Sequence, residues 1–298
     1  MSVIIPHLNQ FDDLRRCLDS IMARPLDHGS IEIVVVDNGS RPGLDAVRDA
    51  YPAVQFLAEA RPGPGLARNR GADHASAARL AFVDADCFVD PGWLQAAVEA
   101  IEADPARGVV GGDIRIPLRR PGHADGVEAY ESVFSFRQKM YIETRNFSVT
   151  ANLAMARAVY DAVGPFRGID VAEDRDWGAR AAALGYTVRY QPGMVVFHPA
   201  RADFPALTRK WARLISHDFT EWCADGHSLG KWYARAAMIF ASTGVHAARM
   251  FTSDRVSGIP SRIAGLGVLV RLRAFRFGEM IRVARNPEAG VLAWNRNP

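Results

Sequence analysis

The feature that most constrains this chain is Ile31-Glu32-Ile33-Val34-Val35-Val36, an almost unbroken β-branched run that stops at Asp37-Asn38-Gly39-Ser40. A run this short and this apolar reads as a strand buried on both faces, as in a parallel sheet covered by helices. The turn formers behind it end the strand. Residues 3–5, 54–57 and 80–83 form similar short runs. Between them, 11–22 sets Phe11, Leu14, Leu18, Ile21 and Met22 at helical spacing. The break Pro62-Gly63-Pro64-Gly65 leads into a helix over 66–78, and Pro91-Gly92 into another over 93–103. This βαβαβ alternation predicts an α/β fold, a mostly parallel sheet flanked by helices.

Beyond residue 108 the rhythm loosens. The pattern predicts a strand over 109–116, a helix over 129–141, and an extended stretch over 147–155 that turns into a helix. A helix over 172–184 and closing strands over 187–190 and 194–198 follow. The tail reads as helical, with segments at 207–222, 232–248 and 262–283. Its uncharged stretches, 236–248 and 263–270, are too short to span a bilayer. The expected organisation is a catalytic domain over 1–200, split into 1–108 and 109–200, with a helical extension over 201–298.

A chain of 298 residues that is 49% hydrophobic and 23% charged has enough apolar content for a large core, which excludes disorder. Cys17, Cys87 and Cys223 stand far apart with no metal-finger spacing, so free thiols in a reducing compartment are expected. Met1-Ser2 runs straight into a strand-like segment without a signal-peptide pattern, so the expected location is cytoplasmic. The net charge of +3 hides an asymmetry: from residue 201 there are 15 Lys+Arg against 7 Asp+Glu, leaving 21 against 26 before it. An acidic front half suits a metal site, and a basic, amphipathic tail suits an anionic partner or a solvated arginine face. Nucleic acid is not the expected partner, because no binding module accompanies the charge.

In open α/β sheets, ligands gather beyond the carboxyl ends of the strands. Asp37 stands at one such end and Asp84-Ala85-Asp86 at another. Two carboxylates two residues apart, on the loop leaving an apolar strand, either converge on one hard divalent cation together with substrate phosphates or are a surface Asp pair in a loop. Glu173-Asp174 opens a helix, where an acid serves either as a dipole partner or as a general base for a hydroxyl. Trp177, one turn on, lines either a cleft or the core. His198, after an apolar strand, is either structural or a third metal ligand. Arg68 and Arg70 follow the Gly-rich turn, exposed to solvent or within reach of a base or phosphate.

Taken in order, these pieces resemble glycosyltransferase family 2, inverting enzymes with a GT-A fold. Val3-Ile4-Ile5-Pro6-His7-Leu8-Asn9 looks like the family's opening strand and nucleotide loop. Val34-Val35-Val36-Asp37-Asn38-Gly39-Ser40 is similar to its second strand and base-contacting Asp. Gly63-Pro64-Gly65-Leu66-Ala67-Arg68-Asn69-Arg70-Gly71 resembles its Gly-rich loop and arginine helix, and Phe82-Val83-Asp84-Ala85-Asp86 its D-x-D. Thr150-Ala151-Asn152-Leu153-Ala154-Met155 is similar to its sugar-side segment, and Glu173-Asp174 to its catalytic acid pair. The series spans roughly residues 2–200. His7-Leu8-Asn9 departs from it, since the family often has a hydroxyl residue and an aromatic there.

The resemblance implies a sugar nucleoside diphosphate as donor, a UDP-sugar first. Pro6, Leu8, Asn9, Asp37, Arg68, Asp84 and Ala85 would hold the nucleotide. Asp86 and His198 would bind Mg²⁺ or Mn²⁺. Thr150, Asn152, Glu173 and Trp177 would face the sugars, and Asp174 would deprotonate the acceptor hydroxyl. The acceptor would be a glycan, a lipid-linked glycan or a small molecule, with peripheral membrane contact through 201–298. Surface polysaccharide or glycolipid assembly is the expected setting. The rivals are a nucleotidyltransferase-like enzyme on a similar sheet, which here lacks a GxxxxGK[ST] loop, and a non-catalytic sugar- or protein-binding scaffold.

Overall fold

The computed structural model describes residues 1–286 except 25, 27–28 and 169–170. The chain forms two units. The first comprises Met1–Arg115 with Arg137–Pro199, and the second comprises Ile116–Phe136 with the residues from Ala200 onward.

In the first unit the chain runs β1 (Ser2–His7), α1 (Phe11–Met22), β2 (Glu32–Asp37), α2 (Asp45–Arg48), β3 (Gln55–Ala58), α3 (Pro64–His74), β4 (Arg79–Phe82), β5 (Phe88–Val89), α4 (Trp93–Glu102) and β6 (Val109–Arg115). It leaves to form α5 (Gly126–Phe134) in the second unit. It returns as α6 (Gln138–Arg145), a one-turn helix at Thr150–Asn152, β7 (Leu153–Ala156), α7 (Arg157–Val163), α8 (Glu173–Ala183) and β8 (Arg189–Phe197). The sheet order is β3-β2-β1-β4-β7-β6-β8-β5. The first four strands are mutually parallel, and β7 runs antiparallel to both β4 and β6. The parallel half is the one anticipated from residues 31–36: Ile4, Ile5, Val34, Val35 and Val36 are wholly buried. α3 packs directly on it, and a Cβ on Gly71 would stand 2.5 Å from Ile4 Cγ2.

The predicted strands 187–190 and 194–198 are one strand, β8, interrupted by a bulge. Its parallel ladder with β6 jumps from Gly112↔Gln191 to Asp113↔Val195. Pro192 has no N–H to give the ladder, which favours the skip. The jump would strand two carbonyls, and Asn152 fills the gap. Its Nδ2 donates to Asp113 O at 2.7 Å and to Met194 O at 2.9 Å, and its Oδ1 accepts from Trp93 Nε1 at 2.8 Å. Asn152→Ala leaves these groups buried and unpaired, and is expected to destabilise the fold by about 2–4 kcal/mol in denaturant titrations.

The second unit joins α5 to α9 (Phe204–Ala224), α10 (Leu229–Ala241), α11 (Thr243–Thr252) and α12 (Ile259–Arg285). The predicted helix over 129–141 is therefore two helices, α5 and α6, separated where the chain passes from one unit to the other. α5 starts at a capping box formed by Asp125 and Glu128. Its Val127 and Tyr130 pack with Leu207, Val268, Leu269 and Leu272. The predicted helix over 232–248 breaks at Ser242. The hydroxyls of Ser242 and Thr243 donate to the carbonyls of Ile239 and Phe240, competing with the helical ladder. Among the described residues, no helix is long and apolar enough to cross a membrane.

Candidate active site

Parallel pairing sets the carboxyl ends of β1, β2 and β4 side by side, and the sequence loads each with polar side chains. His7 ends β1 directly opposite Asp37 at the end of β2. The backbone N–H of Gln10 donates to His7 Nε2 at 3.0 Å, which puts the ring proton on Nδ1. That side faces Ser40 Oγ at 3.1 Å and Asp37 Oδ1 at 3.4 Å. Burial holds the His7 pKa below its ordinary value, so the ring is neutral and orients Asp37 as a hydrogen-bond partner. Asn9, in the left-handed region at φ 57°, accepts from Arg41 N–H at 2.8 Å. Its own N–H donates to Ser40 Oγ at 2.9 Å. Asn38 ties the neighbouring loops by donating to the Glu59 and Arg61 carbonyls and accepting from Gly63 N–H. Pro6 is buried in β1, whereas Leu8 is 49% exposed at the rim. His7, Ser40 and Asn38 were not singled out in the sequence; the departure at His7-Leu8-Asn9 was the signal for the first.

Next along the sheet, Arg68 of α3 is 3% exposed and grips two acids. Nη2 meets Asp84 Oδ1 at 2.6 Å and Nη1 meets Glu173 Oε1 at 3.0 Å. Burial opposes its charge, but Asp84 and Glu173 outweigh burial and hold the guanidinium firmly protonated. Arg68 is thus committed to joining the loop after β4 to the start of α8, rather than reaching freely for a base or phosphate. That bridge ties the start of α8, whose second residue is Asp174, to the loop that carries Asp84-Ala85-Asp86. Ala85 is buried between the two aspartates. The Asp174 carboxyl accepts from Arg175 N–H at 2.8 Å. Burial first, and then the neighbouring Glu173 charge, push its pKa up.

Asp86 finds His198 through strand pairing. β5 lies antiparallel to β8 with Phe88 opposite Phe197, and these rings stack 4.9 Å apart. The chain just before β5 therefore meets the chain just after β8. His198 Nε2 lies 3.5 Å from Asp86 Oδ2, while Nδ1 is 2.8 Å from the Pro199 carbonyl. An Nδ1–H donated to that carbonyl leaves the Nε2 lone pair turned toward Asp86, the tautomer a metal-binding imidazole needs. Cys87 lies within the same cluster. Burial, with Asp86 and Asp84 next, raises its pKa well above the usual thiol range, so it remains a thiol and donates to Asp86 Oδ1 at 3.6 Å. With Cys87 held as a thiol, the cluster offers one carboxylate and one imidazole nitrogen, a pair open to first-row divalent ions, Mn²⁺ among them. Asp84, Asp86, Glu173 and Asp174 give this region four carboxyl groups, partly offset by Arg68 and Arg175.

Three expected sugar-facing residues lie elsewhere. Asn152 is fully enclosed and saturated by the contacts described above. Trp177 is 1% exposed, donates from Nε1 to Gly164 O at 3.0 Å, and packs against Phe166. Thr150 is buried in the one-turn helix. The resemblance had implied sugar contacts for Thr150 and Asn152, and Trp177 was open to cleft or core; all three side chains are buried.

Residues 2–169 match the family model for glycosyl transferase family 2. Glycosyltransferase AglE of Haloferax volcanii is 32% identical over 245 residues, covering 80% of this chain and 79% of that protein. Among solved structures, mannosyltransferase PcManGT from Pyrobaculum calidifontis, in complex with GDP-Man and Mn2+, superposes with a TM-score of 0.58 at 22% identity. That match covers 99% of this chain and 87% of the other. Residues 1–349 of TarS from S. aureus give a TM-score of 0.50 at 16% identity, over 92% of this chain and 89% of that one. These two likenesses concern the fold. With the family model matching more than half its length and AglE aligned over most of it, the chain belongs to glycosyl transferase family 2.

Proposed function

We propose that this glycosyltransferase is an inverting, metal-dependent enzyme that moves a sugar from a nucleoside diphosphate to an acceptor hydroxyl. The observation that carries the reading is the Arg68 bridge, which fastens the Asp84-Ala85-Asp86 loop to the helix that starts with Glu173-Asp174. One guanidinium thereby sets a donor-side acid pair and a candidate base at a fixed spacing. Asp37, held by His7 and Ser40, receives the nucleoside, with Asn9 and Leu8 at the rim. Asp84 approaches the ribose while it keeps its bond to Arg68.

Asp86 and His198 would hold Mn²⁺ or Mg²⁺, which when bound supplies the positive charge that a departing diphosphate requires. Asp174 takes the proton from the acceptor hydroxyl. The acceptor oxygen bonds to the anomeric carbon as the bond to the diphosphate oxygen breaks on the opposite face, so configuration inverts. Holding the two substrates in line supplies much of the acceleration.

The acceptor in this reading is a glycan or a lipid-linked glycan, in polysaccharide or glycolipid assembly at the cytoplasmic face of the membrane. Exposed Met238, Phe240 and Val245 on α10 and α11, together with the arginine-rich tail, support a peripheral membrane contact. For the donor, UDP-sugars are the expectation from the sequence, and the GDP-Man complex of the Pyrobaculum neighbour adds GDP-sugars.

The test is product release from UDP-, GDP- and dTDP-sugars with and without Mn²⁺. One nucleotide family should release nucleoside diphosphate in a metal-dependent way. Release of pyrophosphate would instead point to nucleotidyl transfer, and failure of every donor to bind would favour a scaffold. His198→Ala is expected to raise the Mn²⁺ concentration needed for half-maximal activity by ~10–100-fold, and an unchanged requirement would remove His198 from the metal site.

A further inference from the structure

Two arginines in the helical unit, Arg273 buried and Arg276 half-buried, have no carboxylate paired with them among the described residues. Arg273 of α12 is 8% exposed, and its only hydrogen bond among the described residues is a long one, 3.3 Å, from Nη1 to the Ile239 carbonyl. Arg276, one turn on, stands over the Trp211 ring with its Cζ 3.7 Å from the centroid. The Nε atoms of both are buried with no hydrogen-bond partner. No carboxylate among the described residues pairs with either. The groups that favour the Arg276 charge are the Tyr130 phenol and, after it, Asp218, which is already bonded to Arg235 at 3.0 Å. Burial draws the Arg276 guanidinium down to about 10, which still leaves it charged at neutral pH.

Burying a guanidinium opposite no anion is unfavourable by several kcal/mol, and two such groups one helical turn apart repel each other. Stacking on Trp211 offsets part of this for Arg276, at roughly 0.5–2 kcal/mol, and leaves its Nε–H without a partner. Two guanidinium groups one turn apart on one helix have the chemistry that grips a phosphate through paired hydrogen bonds. The neighbourhood is apolar and partly open: Met238 and Phe240, on either side of the carbonyl that meets Arg273, are both exposed, and so is Val270, one turn before Arg273.

We propose that Arg273 and Arg276 form a phosphate-binding site in the helical unit, lined by Trp211 and distinct from the Asp84-Asp86 site. The same chemistry accepts a soluble phosphate or diphosphate, or a phosphate carried by a lipid whose apolar part lies along Met238, Phe240 and Val270. The site is read by binding alone and stands whether or not the transfer reaction is as described above.

The experiment uses the full chain in chloride buffer at constant ionic strength. Thermal melts are recorded against inorganic phosphate and pyrophosphate, and sedimentation with phosphatidylcholine vesicles is measured with and without phosphatidic acid. A saturable rise in melting temperature with the soluble ions assigns the site to free phosphate. Binding only to vesicles that contain phosphatidic acid assigns it to a lipid phosphate. In either case Arg273→Met and Arg276→Met should weaken binding by at least ~10-fold. Each should also melt higher than wild type in phosphate-free buffer, because an uncompensated charge has been removed. Arg276→Lys keeps the charge and retains a weakened response, and Arg271→Met, over Phe204 on the same helix, behaves as wild type. No saturable response to either probe would overturn the proposal. So would a wild-type response in both Met variants, or a lower phosphate-free melting temperature in both, which would make the arginines packing elements.

Discussion

Asp174→Asn is expected to slow sugar transfer by about 10²–10⁴-fold, the usual contribution of a positioned general base, and at the same time to raise the melting temperature at neutral pH. The second half follows from the environment of the carboxyl. Burial and the adjacent Glu173 hold its pKa above the ordinary aspartate value in the folded chain. The folded protein therefore keeps this proton at pH values where the unfolded chain has released it. Stability associated with the group is present below the ordinary value of about 3.9 and is lost as pH rises through the raised one. At neutral pH the ionised Asp174 is a net burden on the fold, and the amide removes that burden. The acid limb of the pH–rate profile should likewise lie above the position expected of an unperturbed carboxylate. Initial rates and thermal melts across pH, on wild type and variant, measure both effects. Full activity in the variant would place the base elsewhere, and a lower melting temperature would mean that Asp174 stabilises the fold.

Asp86→Ala is expected to reduce turnover by about 10³-fold, since the charge assembled on the donor diphosphate is worth several kcal/mol in the transition state. Mn²⁺-dependent donor binding should disappear with it. The fold should persist, because Asp86 stands outside the Arg68 bridge and meets Cys87 and His198. Calorimetric titration of donor with and without Mn²⁺ separates this from a folding defect. Binding that remains metal-dependent in the variant would move the metal to Asp84 or to another group.

Residues 31–36 made the parallel half of the sheet legible because burial on both faces writes itself as an unbroken β-branched run. Asp37, Asp84 and Asp86 were legible for a related reason, since a polar residue that closes such a run must sit at a carboxyl end. The opening of α8 with Glu173-Asp174 was visible as well. What the sequence did not disclose was who holds whom. Arg68 and Glu173 are 105 positions apart, and nothing local says that a helix arginine will turn inward. Asn152 and Trp177 had the chemistry of sugar contacts, yet one caps a bulge and the other fills the core. A bulge is a relation between two strands, and a single strand's sequence hints at it only through Pro192-Gly193. The break between α5 and α6 was equally hidden, because each side of it is locally a good helix.

The excursion 116–136 has a consequence for how such a chain changes over time. α5 belongs to the helical unit, yet it is encoded between two stretches of the sheet-bearing unit. A chain cut after Pro199 would keep α5 and lose α12, against which Val127 and Tyr130 pack. It would then display that apolar side to solvent and invite aggregation. The tail and the internal excursion therefore form one heritable pair. A lineage cannot discard the tail in a single step, and a catalytic unit that lacks it must also have shortened or repolarised the segment between β6 and α6.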